Sequence, residues 1–296
     1  MKILIIDPSS GGGIYQASCY LRDYLREYHE VEMISVHDLN NKIDYCYDLV
    51  LIHDFVFDPS NIEVKCPIAY FIPGVFPYDD ESYLDEYKYC ISPVSDFRSD
   101  NKYKKSPDIQ WCFNIHCPEE VNTFRERKDE LLYVGRIDAY KMSVHFLAEF
   151  LKHGHKMTVA GEIRQECEEE ELMAKLLTHE NINYLGVVPH DEAIELMKQH
   201  KFAVLASQTD IFSLYMLEAI YYGCIPIIER RKLVEYPWVV DSTYKVWNAL
   251  DIVNVYEILK SFPNEILQQY RDFHRQQVID KMNNLSDINV FNRVFE

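Results

Sequence analysis

From Lys2 to Ile228 the chain repeats one device, a short uninterrupted apolar run that stops at Gly, Pro, Ser or a single polar residue: KILIID, DLVLIH, CPIAYFIPG, KYCISPVS, ELLYVG, KMTVAG, INYLG, FAVLAS and CIPII. Runs this short and this continuously apolar are strands buried on both faces, unlike the alternating strands of a sheet with one wet side. Segments between them carry helical spacing, as with Ile14, Ala17, Leu21, Leu25 and Tyr28. Strands alternating with helices predict an α/β chain with parallel, doubly wound sheets. The series restarts after the polar stretch at Cys117–Asn122, so two Rossmann-like domains are expected, residues 1–118 and 119–296, with an interdomain cleft. A length of 296 residues suits two domains. The tail after about Pro263 is predicted to be helical and placed to pack back on the N-terminal domain.

Composition narrows the class. Hydrophobic residues make up 48% and charged residues 26%, which supports buried cores and carries no signature of disorder. The opening strand lacks the basic and small-residue flanks of an export signal. No apolar run approaches the roughly 18 residues of a spanning helix. Eight cysteines are scattered without a Cys-x-x-Cys, which predicts reduced thiols, a cytoplasmic location and no metal ligands. Net charge is −18; residues 1–123 hold 10 Lys+Arg against 21 Asp+Glu, and the remainder 20 against 27. Such a surface repels polyanions and argues against nucleic acid or an anionic bilayer as partner.

Only nine glycines occur, and most follow strands: Gly11, Gly12, Gly13, Gly74, Gly135, Gly161 and Gly186. Ligands of doubly wound sheets bind beyond the carboxyl ends of the strands, where glycine admits close backbone approach. Arg136 comes one residue after Gly135, and Lys141 falls near the start of the next helix, expected from about Lys141 to Leu151. Two cations and a helix N-terminus suit a diphosphate, although an Arg in a turn and a Lys on a helix are also common on solvated surfaces. In SQTDIFSLYMLEAIYYGCIPII, a strand and loop lead into a helix over Ser213–Tyr222. Free amides at Phe212, Ser213 and Leu214 offer a second anion site. Asp210 fits a helix-capping acid or a ligand contact. Glu218 lies among apolar neighbours and needs either a paired cation or hydroxyl donors such as a ribose diol. His53, which ends a buried strand, fits either a core histidine or a cleft residue. The acidic run around Glu168 and the basic Arg230-Arg231-Lys232 read as solvated surface.

Together these features resemble the family 4 retaining glycosyltransferases of the GT-B fold. That family carries Gly-Arg followed by Lys after the first strand of its C-terminal domain, here Gly135-Arg136 and Lys141. Its later signature, S-x-x-E-x-F-G-L-x-x-x-E-A-x-x-x-G with a proline soon after, stands here as Ser207, Asp210, Phe212-Ser213-Leu214, Glu218-Ala219 and Gly223, with matching spacing from Ser207 to Gly223. The resemblance implies that Arg136 and Lys141 hold a donor diphosphate, Glu218 the ribose, and Asp210 the transferred sugar. It adds Gly12, Gly13, Gly161 and Glu162 to the donor-binding set, and makes His53 and Gly74 acceptor or cleft residues. Three positions depart from the family: Asp for Glu at 210, Ser for Gly at 213, and Pro73 before Gly74 where the family often has an active-site His.

The activity so implied is hexosyl transfer from a UDP- or GDP-sugar to the hydroxyl of a carbohydrate, protein or small-molecule acceptor. The anomeric configuration is retained. Catalysis would rest on Arg136, Lys141 and Asp210, with the nucleotide sugar as co-substrate and neither metal nor other cofactor. No Asp-x-Asp occurs in the chain. Other readings are a GT-B nucleotide-sugar epimerase, or a catalytically inactive sugar-nucleotide-binding or assembly subunit. A phosphorylase would need a longer chain with a lysine-bound pyridoxal phosphate.

Overall fold

The computed structural model describes residues 1–7, 12–39, 46–53, 64–71, 87–92, 108–118, 120–138, 141–142, 144–164, 170–207, 213–229, 244–246 and 249–293. It divides into two compact units, Met1–His116 with Lys281–Glu296, and Cys117–Asp280. Each is an α/β unit on a six-stranded sheet whose strand pairs are all parallel.

In the first unit β1 (Lys2–Asp7) leads to α1 (Gly12–Arg26) and then β2 (Glu30–Ser35), β3 (Leu49–Ile52), β4 (Ile68–Phe71), β5 (Tyr89–Ser92) and β6 (Asp108–Gln110). Their order across the sheet is β2-β1-β3-β4-β5-β6. The predicted double burial is visible in β3, where all four residues are buried. Leu4, Ile6, Val50, Ile52 and Tyr70 pack on one face, while α1 turns the buried Ala17, Leu21 and Leu25 inward. The order reverses direction between β1 and β3, so Asp7 and His53, at the carboxyl ends of these neighbouring strands, share the edge where ligands of such sheets bind.

Residues 281–293 complete this unit. Leu285 ends α7 (Asn264–Leu285), and α8 (Ile288–Arg293) follows. Phe291 is fully buried against Trp111, ring centroids 4.8 Å apart. The carbonyl of Leu285 accepts from Cys112 N–H at 3.1 Å, and the Tyr24 hydroxyl donates to the Ser286 carbonyl.

In the second unit the elements run β7 (Lys128–Val134), α2 (Val144–Lys152), β8 (Met157–Ala160), α3 (Glu170–Leu177), β9 (Ile182–Tyr184), α4 (His190–Gln199), β10 (His200–Leu205), α5 (Leu214–Tyr221), β11 (Ile225–Glu229), β12 (Tyr244–Val246) and α6 (Ala249–Lys260), before α7. The order β12-β11-β10-β7-β8-β9 places the switch point between β7 and β10. Phe124, Phe146, Phe150, Phe202 and Tyr256 fill the core. Buried Arg127 donates to the carbonyls of Met197, His200 and Tyr222, closing chain ends that leave helices α4 and α5. From α7, Arg271 donates to Asn122 O at 2.9 Å and Arg275 to Tyr221 O at 2.7 Å.

Two details differ from the sequence reading. The helix expected from Lys141 begins at Val144, because Lys141 is held in a turn by Asp138. β12 and α6 extend the unit through a region in which no element was read. Phe291→Ala is expected to cost about 3–5 kcal/mol, since it empties a buried aromatic site against Trp111. Urea unfolding followed by tryptophan fluorescence measures it.

Candidate functional site

The ends of β7 and β8 meet through two glycines. Gly135 N–H donates to Ala160 O, and Gly161 N–H to Gly186 O. Both backbones sit at positive φ, +154° and +150°. A β-carbon on Gly161 would fall 1.8 Å from the Gly135 carbonyl oxygen, a position no side chain can occupy. Tyr133 Oη donates to Arg136 O at 2.6 Å and Tyr184 Oη to Gly161 O at 2.9 Å, fixing the same two turns from the sheet side. Ile137 N–H then donates to Glu162 O at 2.8 Å, which carries Glu162 alongside the Arg136 turn.

Asp138 organises that turn. Its Oδ2 lies 2.5 Å from Arg136 Nε, and its Oδ1 accepts the Lys141 N–H at 2.9 Å. One buried carboxylate therefore positions both expected phosphate residues. The ion pair with Asp138 sets the direction of the Arg136 guanidinium, whose planar fork of N–H donors suits an anion. Asp138 was not singled out in the sequence; an acid between Gly-Arg and Lys was the available signal.

Across the switch point, β10 leads to Ser207 and then to α5. Ser213 is the N-cap of α5, and its Oγ accepts from Met216 N–H at 3.3 Å. The hydroxyl thus takes one of the helix's free amides. Leu214 and Tyr215, first in the helix, have no carbonyl within it to bond. Of the expected anion site, Phe212 lies outside the described residues, as do Asp210, Pro73 and Gly74.

Glu218 is 3% exposed on α5. Its Oε1 stands 2.6 Å from Nε2 of His190, the first residue of α4. A carboxylate at this depth requires a partner, and the neighbouring helix supplies one. Accepting from the imidazole, Glu218 raises the His190 pKa above its ordinary value despite the opposing effect of burial. Sequence reading asked for either a cation or hydroxyl donors at Glu218 and did not name His190; the signal was a histidine opening the helix that precedes β10.

In the first unit, Gly12 and Gly13 open α1. His53 is fully buried, with Nδ1 2.5 Å from Ser18 Oγ. Burial lowers its pKa to about 4, so it is neutral at pH 7. Its Nε2 has no hydrogen-bond partner among the described residues.

Residues 119–234 match the family described as "Glycosyl transferases group 1". Among solved structures, the chain is similar to a point mutant of S. aureus TarM in complex with fondaparinux, α-GlcNAc-glycerol and UDP, at 13% identity and a TM-score of 0.65. That match covers 84% of this chain and 55% of TarM, so the chain spans about half the length of that protein. It is similar along its whole length to an α,α-trehalose-phosphate synthase (UDP-forming) from Burkholderia xenovorans, at 13% identity, 100% coverage of both chains and a TM-score of 0.67. The lipopolysaccharide outer core galactosyltransferase WaaB matches at 14% identity, 99% coverage of both and a TM-score of 0.62. The chain has the GT-B fold of these proteins. No curated protein sequence matches it. The matched segment includes Gly135, Arg136, Asp138, Lys141, Gly161, His190 and Glu218, and among the described residues no helix is long and apolar enough to cross a membrane.

Two outcomes follow from the geometry. Gly161→Ala displaces the Arg136 turn and costs at least about 1–3 kcal/mol, from strained φ and the backbone clash; differential scanning calorimetry reads the loss. The charged His190 is favoured in the folded state, so its contribution is fully present below the unfolded pKa of about 6.5. That contribution disappears as pH rises through the raised folded value. Urea midpoints of wild type and His190→Gln should therefore differ most in acid and converge as pH rises above about 6.5.

Proposed function

We propose that the second unit binds a nucleotide-diphosphate sugar, and that the enzyme transfers the sugar to an acceptor hydroxyl with retained anomeric configuration and without a metal ion. One observation carries the reading: neighbouring parallel strands β7 and β10 lead, at the switch point, into the Asp138-organised Arg136–Lys141 turn and into α5 with its buried Glu218. Cations and a buried carboxylate on one sheet edge suit a diphosphate and a ribose diol.

In this reading Arg136, Lys141 and the amides of Leu214 and Tyr215 stabilise the departing diphosphate. That is where charge develops as the bond from the anomeric carbon to the phosphate oxygen breaks. The acceptor oxygen forms its bond on the same face, and its proton passes to the leaving phosphate. Glu218 accepts from the ribose hydroxyls, with His190 holding it in place. Asp210 contacts the sugar, and the first unit receives the acceptor, a carbohydrate, protein or small molecule. UDP in the TarM complex and in the name of the trehalose-phosphate synthase supports a UDP-sugar first and a GDP-sugar second.

A thermal-shift screen of UDP-, GDP-, ADP- and dTDP-sugars tests the donor. Stabilisation by a UDP- or GDP-sugar is expected, with a loss of about tenfold or more in affinity in Glu218→Ala, the effect of removing a charge-assisted contact. Equal affinity in that variant removes Glu218 from the ribose role. Product formation should persist in EDTA; transfer that appears only with added Mn²⁺ or Mg²⁺ overturns the metal-free mechanism. Binding without transfer to any acceptor would assign the chain to the inactive binding subunits instead.

A further inference from the structure

At the opposite end of β8 from Gly161, the sequence His153-Gly154-His155 turns the chain from α2 into the sheet. Gly154 sits at φ +71°, the left-handed conformation that ends a helix, and this reversal brings the two imidazoles face to face, 6.1 Å apart at 19°. Glu257 reaches them from α6. Its Oε1 is 3.3 Å from His153 Nδ1 and 3.0 Å from His155 Nε2. Ligand atoms of all three residues lie within 4.8 Å of one another.

We propose that His153, His155 and Glu257 form a binding site for a divalent transition metal, zinc being the reference ion. Two imidazoles and one carboxylate are a donor set for Zn²⁺ and its neighbours rather than for Mg²⁺ or Ca²⁺. Tetrahedral bonds of about 2.0–2.1 Å place ligand atoms roughly 3.3 Å apart, close to the two separations from Glu257.

The surroundings orient the ligands as metal sites require. His155 packs against Phe150 and Tyr256, at 5.2 and 5.1 Å, so its ring is held before any ion arrives. His153 turns Nδ1 toward Glu257 while its Nε2 lies 3.5 Å from Glu149 Oε1. A carboxylate behind the far ring nitrogen fixes the tautomer that leaves Nδ1 free to coordinate. Glu149 is itself held by Lys152 at 2.8 Å. Three protein ligands leave a fourth position for water.

The site ties the end of α2 and the start of β8 to α6. Its role is structural, because the Arg136 and Gly161 turns lie at the other end of the strands. It enters no step of sugar transfer and does not depend on the donor reading.

The test uses the full chain, stripped with EDTA and titrated at pH 7.5 with ZnCl₂ by calorimetry, with thermal unfolding in parallel. The expected result is one Zn²⁺ per chain and a melting temperature raised by at least about 2 °C at a large excess over Kd, with no rise in Mg²⁺ or Ca²⁺. His155 is also packing material, so the informative variants are His153→Gln and Glu257→Gln, both on exposed side chains. Each should weaken zinc binding at least tenfold while leaving the metal-free melting temperature unchanged. Co²⁺ loaded in place of zinc should show ligand-field bands without thiolate charge transfer. Absence of saturable binding, undiminished binding in both variants, or thiolate bands that assign the ion to cysteine would each overturn the proposal.

Discussion

The Gly135 carbonyl and the Gly161 α-carbon approach so closely that the two strand-end turns behave as one piece of backbone. The turn that carries Arg136 and Lys141 is built on that contact. Gly135 sets the direction of Arg136. Glu162, after Gly161, is tied to the same turn through its carbonyl, which accepts from Ile137 N–H. Asp138 then closes the turn onto Lys141. Side chains rising from the sheet hold both turns, through the Tyr133 and Tyr184 hydroxyls.

On the other side of the switch point the controlling term is desolvation. A carboxylate as deep as Glu218 is tolerated only with a charge-assisted partner. His190 meets that need while remaining able to change its charge near neutral pH. The two halves of the edge thus differ in kind, one rigid through backbone contact and the other adjustable through a proton.

Much of the scaffold was legible in the sequence because parallel strands buried on both faces leave an unmistakable apolar signature. KILIID and FAVLAS needed no context. β12, with only Tyr-Lys-Val as its strand, has too little apolar length to announce itself, and α6 lacks an evident stop before Ser261. The site was legible where residues adjoin in sequence, as Gly135, Arg136 and Lys141 do. It was illegible where partners come from separate elements. His190 and Glu218 are 28 positions apart, and His153-Gly154-His155 reads as an ordinary helix end until α6 brings Glu257 to it. Lys141 shows a subtler failure, since an aspartate three residues earlier delays the helix by competing for its amide.

The return of residues 281–293 to the first unit sets an order on biosynthesis. Trp111 and Cys112 reach their final surroundings only when Leu285 and Phe291 are present, some 170 residues later. The second unit has all of its strands by Val246. On the ribosome, the part of the chain that emerges first is therefore the last that can close, and until then Trp111 lacks the ring of Phe291 that packs against it.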